Sequence, residues 1–352
     1  MIKHGQPTTS KKSGDNALDR HSIARRKMIG GAGALATTQV MTGIALGGSA
    51  FGLTSGAAHA AASKAGSQQI SIHRMNLGDF EVTTMLDGFI DVPVGVLQGD
   101  AAEIREHLEA AGLAKDAPIR LPVNTFLVNT GAKLVLIDAG GAKLLGPSAG
   151  RLPLCLAAAG ITPEQIDEVY ITHMHGDHLH GTVTPEGGRL FPNAVIRIAK
   201  EDVDHWGNPQ VEAAAPDNQK GRFVAAKRAI AAYGDRIKPF ALGEELTPGI
   251  RSVSAVGHTP GHSCYMVESG GAKLLLLGDL MHVAPVQFPK PEVTVAFDSS
   301  QPAAREIRKK LFEQVAREKI MVGAVHVAFP GIGRLRAVGS GYAFDPIPWQ
   351  LF

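Results

Sequence analysis

Thr172-His173-Met174-His175-Gly176-Asp177-His178-Leu179-His180-Gly181 follows directly on the apolar run Val169-Tyr170-Ile171. Between His173 and His178 lie four potential metal ligands. An extended apolar run that ends in a tight, ligand-dense turn suits the end of a buried β-strand, where the loop can fold several side chains around one point. Imidazole and carboxylate together select zinc or other borderline divalent ions. An isolated HxH is better explained by a His-rich surface loop that binds metal only incidentally. HxHxDH delivered by a strand is not.

Three later stretches repeat the form of an apolar run ending in a candidate ligand. Val253–Val256 leads to Gly257-His258-Thr259-Pro260-Gly261-His262, Leu274–Leu277 leads to Gly278-Asp279, and Ile320–Val325 leads to His326. Upstream, Leu134–Ile137 ends at Asp138 and is followed by Ala139-Gly140-Gly141. A strand-end carboxylate of this kind either supports a site or caps local backbone amides. Each stretch alone is weak, but the ordered set is specific.

The remaining patterning mixes strands and helices. Ile70–Ile72, Phe80–Leu86, Thr125–Val128, Pro192–Ala199, Ile250–Val256 and Ser263–Glu268 read as strands, with Asp87-Gly88 as a turn after the second. Ala101–Ala111, Leu152–Ala159, Phe223–Tyr233 and Gln301–Glu318 read as helices. Two halves of this kind argue α/β layering.

Of the 352 residues, 44% are hydrophobic and 19% charged, an ordinary globular composition. The formal charge of +2 is uneven, because the first 60 residues hold seven Lys/Arg against two Asp and the remainder holds 28 basic and 31 acidic residues. That balance gives no support to nucleic-acid binding. Arg25-Arg26-Lys27, a Gly/Ala/Thr-rich mildly apolar stretch and Ala58-His59-Ala60 together read as an export signal over residues 1–60, similar to a twin-arginine signal. The implied partner is the twin-arginine export machinery, and the implied location is periplasmic or secreted. Met28 stands where that motif usually has Phe. Two cysteines, Cys155 and Cys264, are too few for a disulfide framework or a thiolate zinc site, and two separate buried thiols are expected.

With these residues in place, the chain from about Gln69 onward resembles the metallo-β-lactamase superfamily. The resemblance implies a four-layer αββα sandwich over residues 61–352, with every ligand on loops at one sheet edge. Carried over by position, His173, His175 and His258 would bind one metal, Asp177, His178 and His326 a second, and Asp279 would bridge them. Asp138 would fix the ligand loop from behind. Two divalent ions, zinc foremost, are the implied cofactors.

Within the superfamily, Asn76-Leu77-Gly78-Asp79-Phe80-Glu81 and the stretch Gly278–Phe288 are similar to methyl parathion hydrolase and its lactonase-like relatives. Acyl-homoserine lactonases typically carry Tyr three residues after the bridging Asp, where this chain has His282. His180 replaces a common Gly and is expected behind the ligand loop or in solvent. Trp206, Phe223 and Leu145 fall where this branch lines a leaving-group pocket, although the first two are as compatible with core. His282 is expected in the same pocket.

The implied activity is hydrolysis of a small-molecule ester that is neutral and fairly apolar: an aryl phosphotriester, a lactone or an aryl ester. Two ions sharing a water would lower its pKa from ~15.7 toward ~7. Asp279 would bridge the ions, and Asp177 would shuttle a proton while ligating. The alternatives are a periplasmic β-lactamase, a glyoxalase-like thioesterase and a non-catalytic periplasmic metal-binding protein. The natural substrate, the metal and the choice between monomer and homodimer stay open at this point.

Overall fold

The computed structural model describes residues 64–114 and 116–349, so the export-signal reading of residues 1–60 lies outside the described residues. Two seven-stranded sheets dominate. The first runs, in spatial order, Ile72–Leu77, Phe80–Val92, Ile119–Asn129, Leu134–Ile137, Glu168–Tyr170, Val195–Ala199 and Ile237–Phe240. The second runs Gly341–Pro346, Ile332–Val338, Met321–Gly323, Ala272–Leu276, Ser263–Ser269, Ile250–Ser254 and Glu245–Thr247.

Side-chain alternation explains the layering. Val135 and Ile137 point into a core shared with Val267, Leu274 and Leu276 of the second sheet. Leu136, between them, points the other way, into a core with Leu152 and Leu156 of the helix Leu152–Ala158 and with the helix Phe223–Tyr233. Leu275 likewise faces Leu311, Phe312 and Val315 of the helix Gln301–Glu318. Strands buried on both faces read as continuous apolar runs, which is why Leu134–Ile137 and Leu274–Leu277 stood out. The order is helix, sheet, sheet, helix: the αββα sandwich. Cys155 and Cys264 are free and lie in different cores, one outside each sheet.

Strand direction positions the site. Leu134–Ile137, Glu168–Tyr170 and Val195–Ala199 are parallel neighbours, as are Ala272–Leu276 and Met321–Gly323. Parallel neighbours end on the same side, so the loops bearing Asp138 and His173–His178 emerge together, and those bearing Asp279 and His326 do likewise.

One expectation is corrected. Asp87-Gly88 is not a turn: the strand Phe80–Val92 runs through it for 13 residues with a bulge between Leu86 and Gly88. The extra residue lets Asp87 turn inward, fully buried, to accept hydrogen bonds from the N–H groups of Gly141, Gly150 and Leu152. Gly88 cannot carry a side chain there, because a Cβ would fall 2.0 Å from the Ser148 carbonyl oxygen. The tight turn lies earlier, at Gly78, with φ of 59°.

Candidate metal centre and adjoining cavity

The ligand loop is braced from behind. Asp138 takes a left-handed backbone conformation (φ 57°), which a short polar side chain tolerates better than most. Its Oδ1 accepts from Thr172 N at 2.8 Å, and its Oδ2 lies 2.8 Å from His178 Nδ1. Ala139 N donates to the His178 carbonyl at 2.8 Å, closing the loop on itself. Gly176 begins a single helical turn, Gly176–Leu179, that swings His178 back toward His173. Gly181 is compelled by space, since a Cβ would meet the Ala139 carbonyl oxygen at 1.7 Å.

A second brace comes from Asp202, fully buried, which accepts from Met174 N at 2.9 Å and Gly261 N at 2.6 Å. It ties the HxHxDH loop to the GHTPGH loop. Burial pushes its carboxyl up to about 6, against the pull of those donors.

Seven side chains converge in two groups that share one carboxylate. The atoms of His173, His175, His258 and Asp279 lie within 4.8 Å of one another, as do those of Asp177, His178, Asp279 and His326. Asp279 faces both: its Oδ2 is 3.2 Å from His258 Nε2, and its Oδ1 is 3.1 Å from His178 Nε2 and 3.2 Å from His326 Nε2. Three rings have the far nitrogen engaged at 2.8 Å: His178 by Asp138, His258 by Asp298 and His326 by the Pro122 carbonyl. A proton on each Nδ1 leaves the Nε2 lone pair pointing inward. The Nε2 atoms of His173, His178 and His326 and the Oδ1 of Asp279 are buried with no hydrogen-bond partner. Inward-facing orphan acceptors are costly unless a cation satisfies them, and imidazole with carboxylate is a donor set suited to zinc-like ions. The residues fit a divalent centre.

The electrostatics agree. Burial opposes ionisation of Asp279 and Asp177, yet the imidazoles around them, His178 foremost, hold both carboxyls well below the usual range. Burial also opposes charge on His326, but Asp279 and Asp177 raise it to about 10. The carboxylate pair thus draws positive charge inward, which protons supply when metal does not.

Above the seven opens a cavity of about 230 Å³, walled by Ile90, Val92, Leu121 and Phe297 on its apolar side and by Arg222, Asp177 and His282 on its polar side. His282 Nε2 is 3.0 Å from Asp279 Oδ2, its ring stacks on His326, and burial lowers it to about 4. Of the four residues expected in the substrate pocket, His282 lies on this wall.

The other three do not. Trp206 and Phe223 are 4% and 3% exposed and belong to the helix-side core, where Trp206 backs His175 at 5.2 Å between ring centres. They line a second cavity, about 660 Å³, which shares Arg222 and Phe297 with the first. Leu145 packs against Gly141, beneath the ligand loop near Gly176. His180 is buried rather than solvent-facing, its ring filling the space that the missing side chain of Gly176 leaves.

Sequence reasoning passed over Asp298, Asp202, Arg222 and Phe297. Asp298 sits just before Ser300 and the helix Gln301–Glu318, where an acidic residue reads as an ordinary helix start. Asp202 reads as an acid in the first turn of the helix Lys200–Trp206. Asp298 does follow the short run Val295-Ala296-Phe297, a signal that could have found it, whereas Asp202 is set off from the strand Val195–Ala199 by Lys200 and Glu201.

The chain belongs to the metallo-beta-lactamase superfamily, whose family model matches residues 118–319. Among solved structures it is similar to one described as hydrolase AbOPH in the beta lactamase superfamily, at 29% identity and a TM-score of 0.75, covering 81% of this chain and 100% of that one. It is also similar to AidC, described as a dizinc quorum-quenching lactonase in complex with a product, at 27% identity and a TM-score of 0.74, covering 80% and 99%. Among curated proteins it is 28% identical over 156 residues to an atrochrysone carboxyl ACP thioesterase of Paecilomyces divaricatus. That match spans 44% of this chain but only 38% of the relative.

Proposed function

We infer that the protein is an exported hydrolase that uses two divalent ions, zinc foremost, to cleave neutral esters: lactones, aryl esters or aryl phosphotriesters. The observation that carries this reading is Asp279, whose two oxygens each face a separate set of buried ligand atoms. Export is supported by the paired arginines and the Ala58-His59-Ala60 site. Lactone chemistry is supported by the similarity to a dizinc lactonase. Placement near methyl parathion hydrolase is supported by the Asn76–Glu81 and Gly278–Phe288 stretches.

His173, His175 and His258 would hold one ion, Asp177, His178 and His326 the other, with Asp279 between. When bound, such a pair would lower the pKa of a water from ~15.7 toward ~7 and would polarise the oxygen of the bond under attack. The chain's own residues do the rest. Asp177, with 15% of its side chain exposed, takes the proton of the attacking water toward the cavity mouth. His282 donates to Asp279 Oδ2 and fixes that carboxylate's orientation. Ile90, Val92 and Leu121 exclude bulk water and accept an apolar acyl or alkyl group. The test is a paired kcat/KM on the metal-loaded protein with an aryl lactone and an aryl phosphotriester of matched leaving group. Comparable or phosphotriester-biased turnover supports the methyl parathion hydrolase type, and a strong lactone bias supports a lactonase. Turnover of neither overturns the reading.

A further inference from the structure

Among the described residues, the cavity wall carries one guanidinium, set apart from the ligand cluster. Arg222 stands immediately before the helix Phe223–Tyr233, half-buried, and lines both the metal-side cavity and its larger neighbour. Among the described residues no carboxylate pairs with its side chain, and burial alone acts on its pKa, pushing it down. With no carboxylate partner, its donors remain free for an anionic group that enters the cavity.

The rest of the wall says what that partner is. Ester cleavage places negative charge on the departing oxygen, and the cavity has no evident acid to protonate it. Among the described residues no tyrosine lines it, Asp177 and Asp279 face the ligand cluster, and the Nε2–H of His282 is directed at Asp279. A space of 230 Å³ equals a sphere about 8 Å across, so an ester filling it lies close to the ligand cluster and to Arg222 alike.

Resting on the ester-hydrolase reading above, we propose that Arg222 binds the leaving oxygen of an aryl or enol-type ester and stabilises it as the anion. Water oxygen bonds to the acyl carbon or phosphorus, and the bond to the leaving oxygen breaks with its electron pair going to that oxygen. The anion forms against the guanidinium, and the water's proton leaves to solvent, so the step balances without a proton from residue 222. Arginine keeps its own proton throughout, so it acts by charge and hydrogen bonding, not as an acid. Phe297, on the same cavity wall, offers a face for the aryl ring.

The experiment compares wild type, Arg222→Met and Arg222→Lys on phenyl esters whose leaving phenols span a range of acidity, with zinc content measured for each. Arg222→Met should lose about 100-fold in kcat on the phenyl ester but under about 10-fold on the 4-nitrophenyl ester, while Arg222→Lys recovers most of the loss. An equal fall across the series, an effect confined to KM, or loss of zinc from Arg222→Met overturns the assignment. A second readout needs no turnover. Chelator-treated wild type should bind 4-nitrophenolate at least about 10-fold more tightly than Arg222→Met does, with neutral 4-nitroanisole bound alike by both. Equal phenolate binding overturns the assignment as well. A wild type that cleaves none of the series removes the ester-hydrolase reading itself, a result distinct from an active enzyme indifferent to residue 222.

Discussion

Replacing Asp298 by Asn isolates the support behind a single ligand. The Asp298 side chain is fully buried, with Oδ1 2.8 Å from His258 Nδ1 and Oδ2 accepting from Val295 N at 3.0 Å. Both partners are donors. Asparagine offers one acceptor oxygen and an NH2, so one of the two must face a donor with a donor. A charge-assisted hydrogen bond of this kind contributes about 1.5–3 kcal/mol. Backing carboxylates of metal-binding histidines are generally worth about 10–100-fold in affinity or activity, which is about 1.4–2.7 kcal/mol. The two estimates agree, so Asp298→Asn should weaken the zinc step that involves His258 by about 10–100-fold. Competition against a zinc-chelating chromophore reads this directly, with far-UV circular dichroism confirming the fold. Zinc affinity within about twofold of wild type would refute the idea that Asp298 orients His258 for a metal.

Asp138→Asn removes the charge that holds His178 and the Thr172 amide, and should weaken the zinc step that involves His178 by about 10–100-fold in the same competition. An unchanged affinity at that step would show that Asp138 serves the backbone alone. Gly181→Ala drives a methyl into the Ala139 carbonyl oxygen and should cost about 1–3 kcal/mol or more, seen as a Tm several degrees lower. A Tm equal to wild type contradicts the packing described. Burial raises the Cys155 thiol to about 11 and the Cys264 thiol further, so neither should react with a disulfide reagent at pH 8 until denaturant is added. Prompt reaction of either thiol in the native state would contradict their burial.

The metal side chains were legible because four of the strands that carry them are buried on both faces. Such strands read as plain apolar runs, and a polar residue ending one is conspicuous: Asp138, His173, Asp279 and His326 were all visible that way. The edges were harder. Ile332–Val338 and Gly341–Pro346 interleave apolar residues with exposed charges, and Arg336 pairs with Asp345 across the hairpin, so neither gave a clean strand signal. Asp87-Gly88 misled because a bulge and a tight turn call on the same residue types.

The substrate wall was the least legible part. It is assembled from Ile90, Leu121, Arg222 and Phe297, on elements far apart in sequence and brought together only by the sheets and the loops over them. Trp206 and Phe223 show the converse: aromatic residues at the expected positions, turned into the core and a neighbouring cavity by the packing of their helices. Patterning reports which residues are buried. It does not report which of two adjoining spaces they border.

The most direct test is a zinc titration into chelator-stripped protein, with bound metal and hydrolysis of an activated aryl ester followed together. The account predicts no hydrolysis without metal and activity that rises until about two zinc ions per chain are bound. Hydrolysis that survives complete metal removal, or two bound zinc ions with no cleavage of any ester, lactone or phosphotriester, would contradict it.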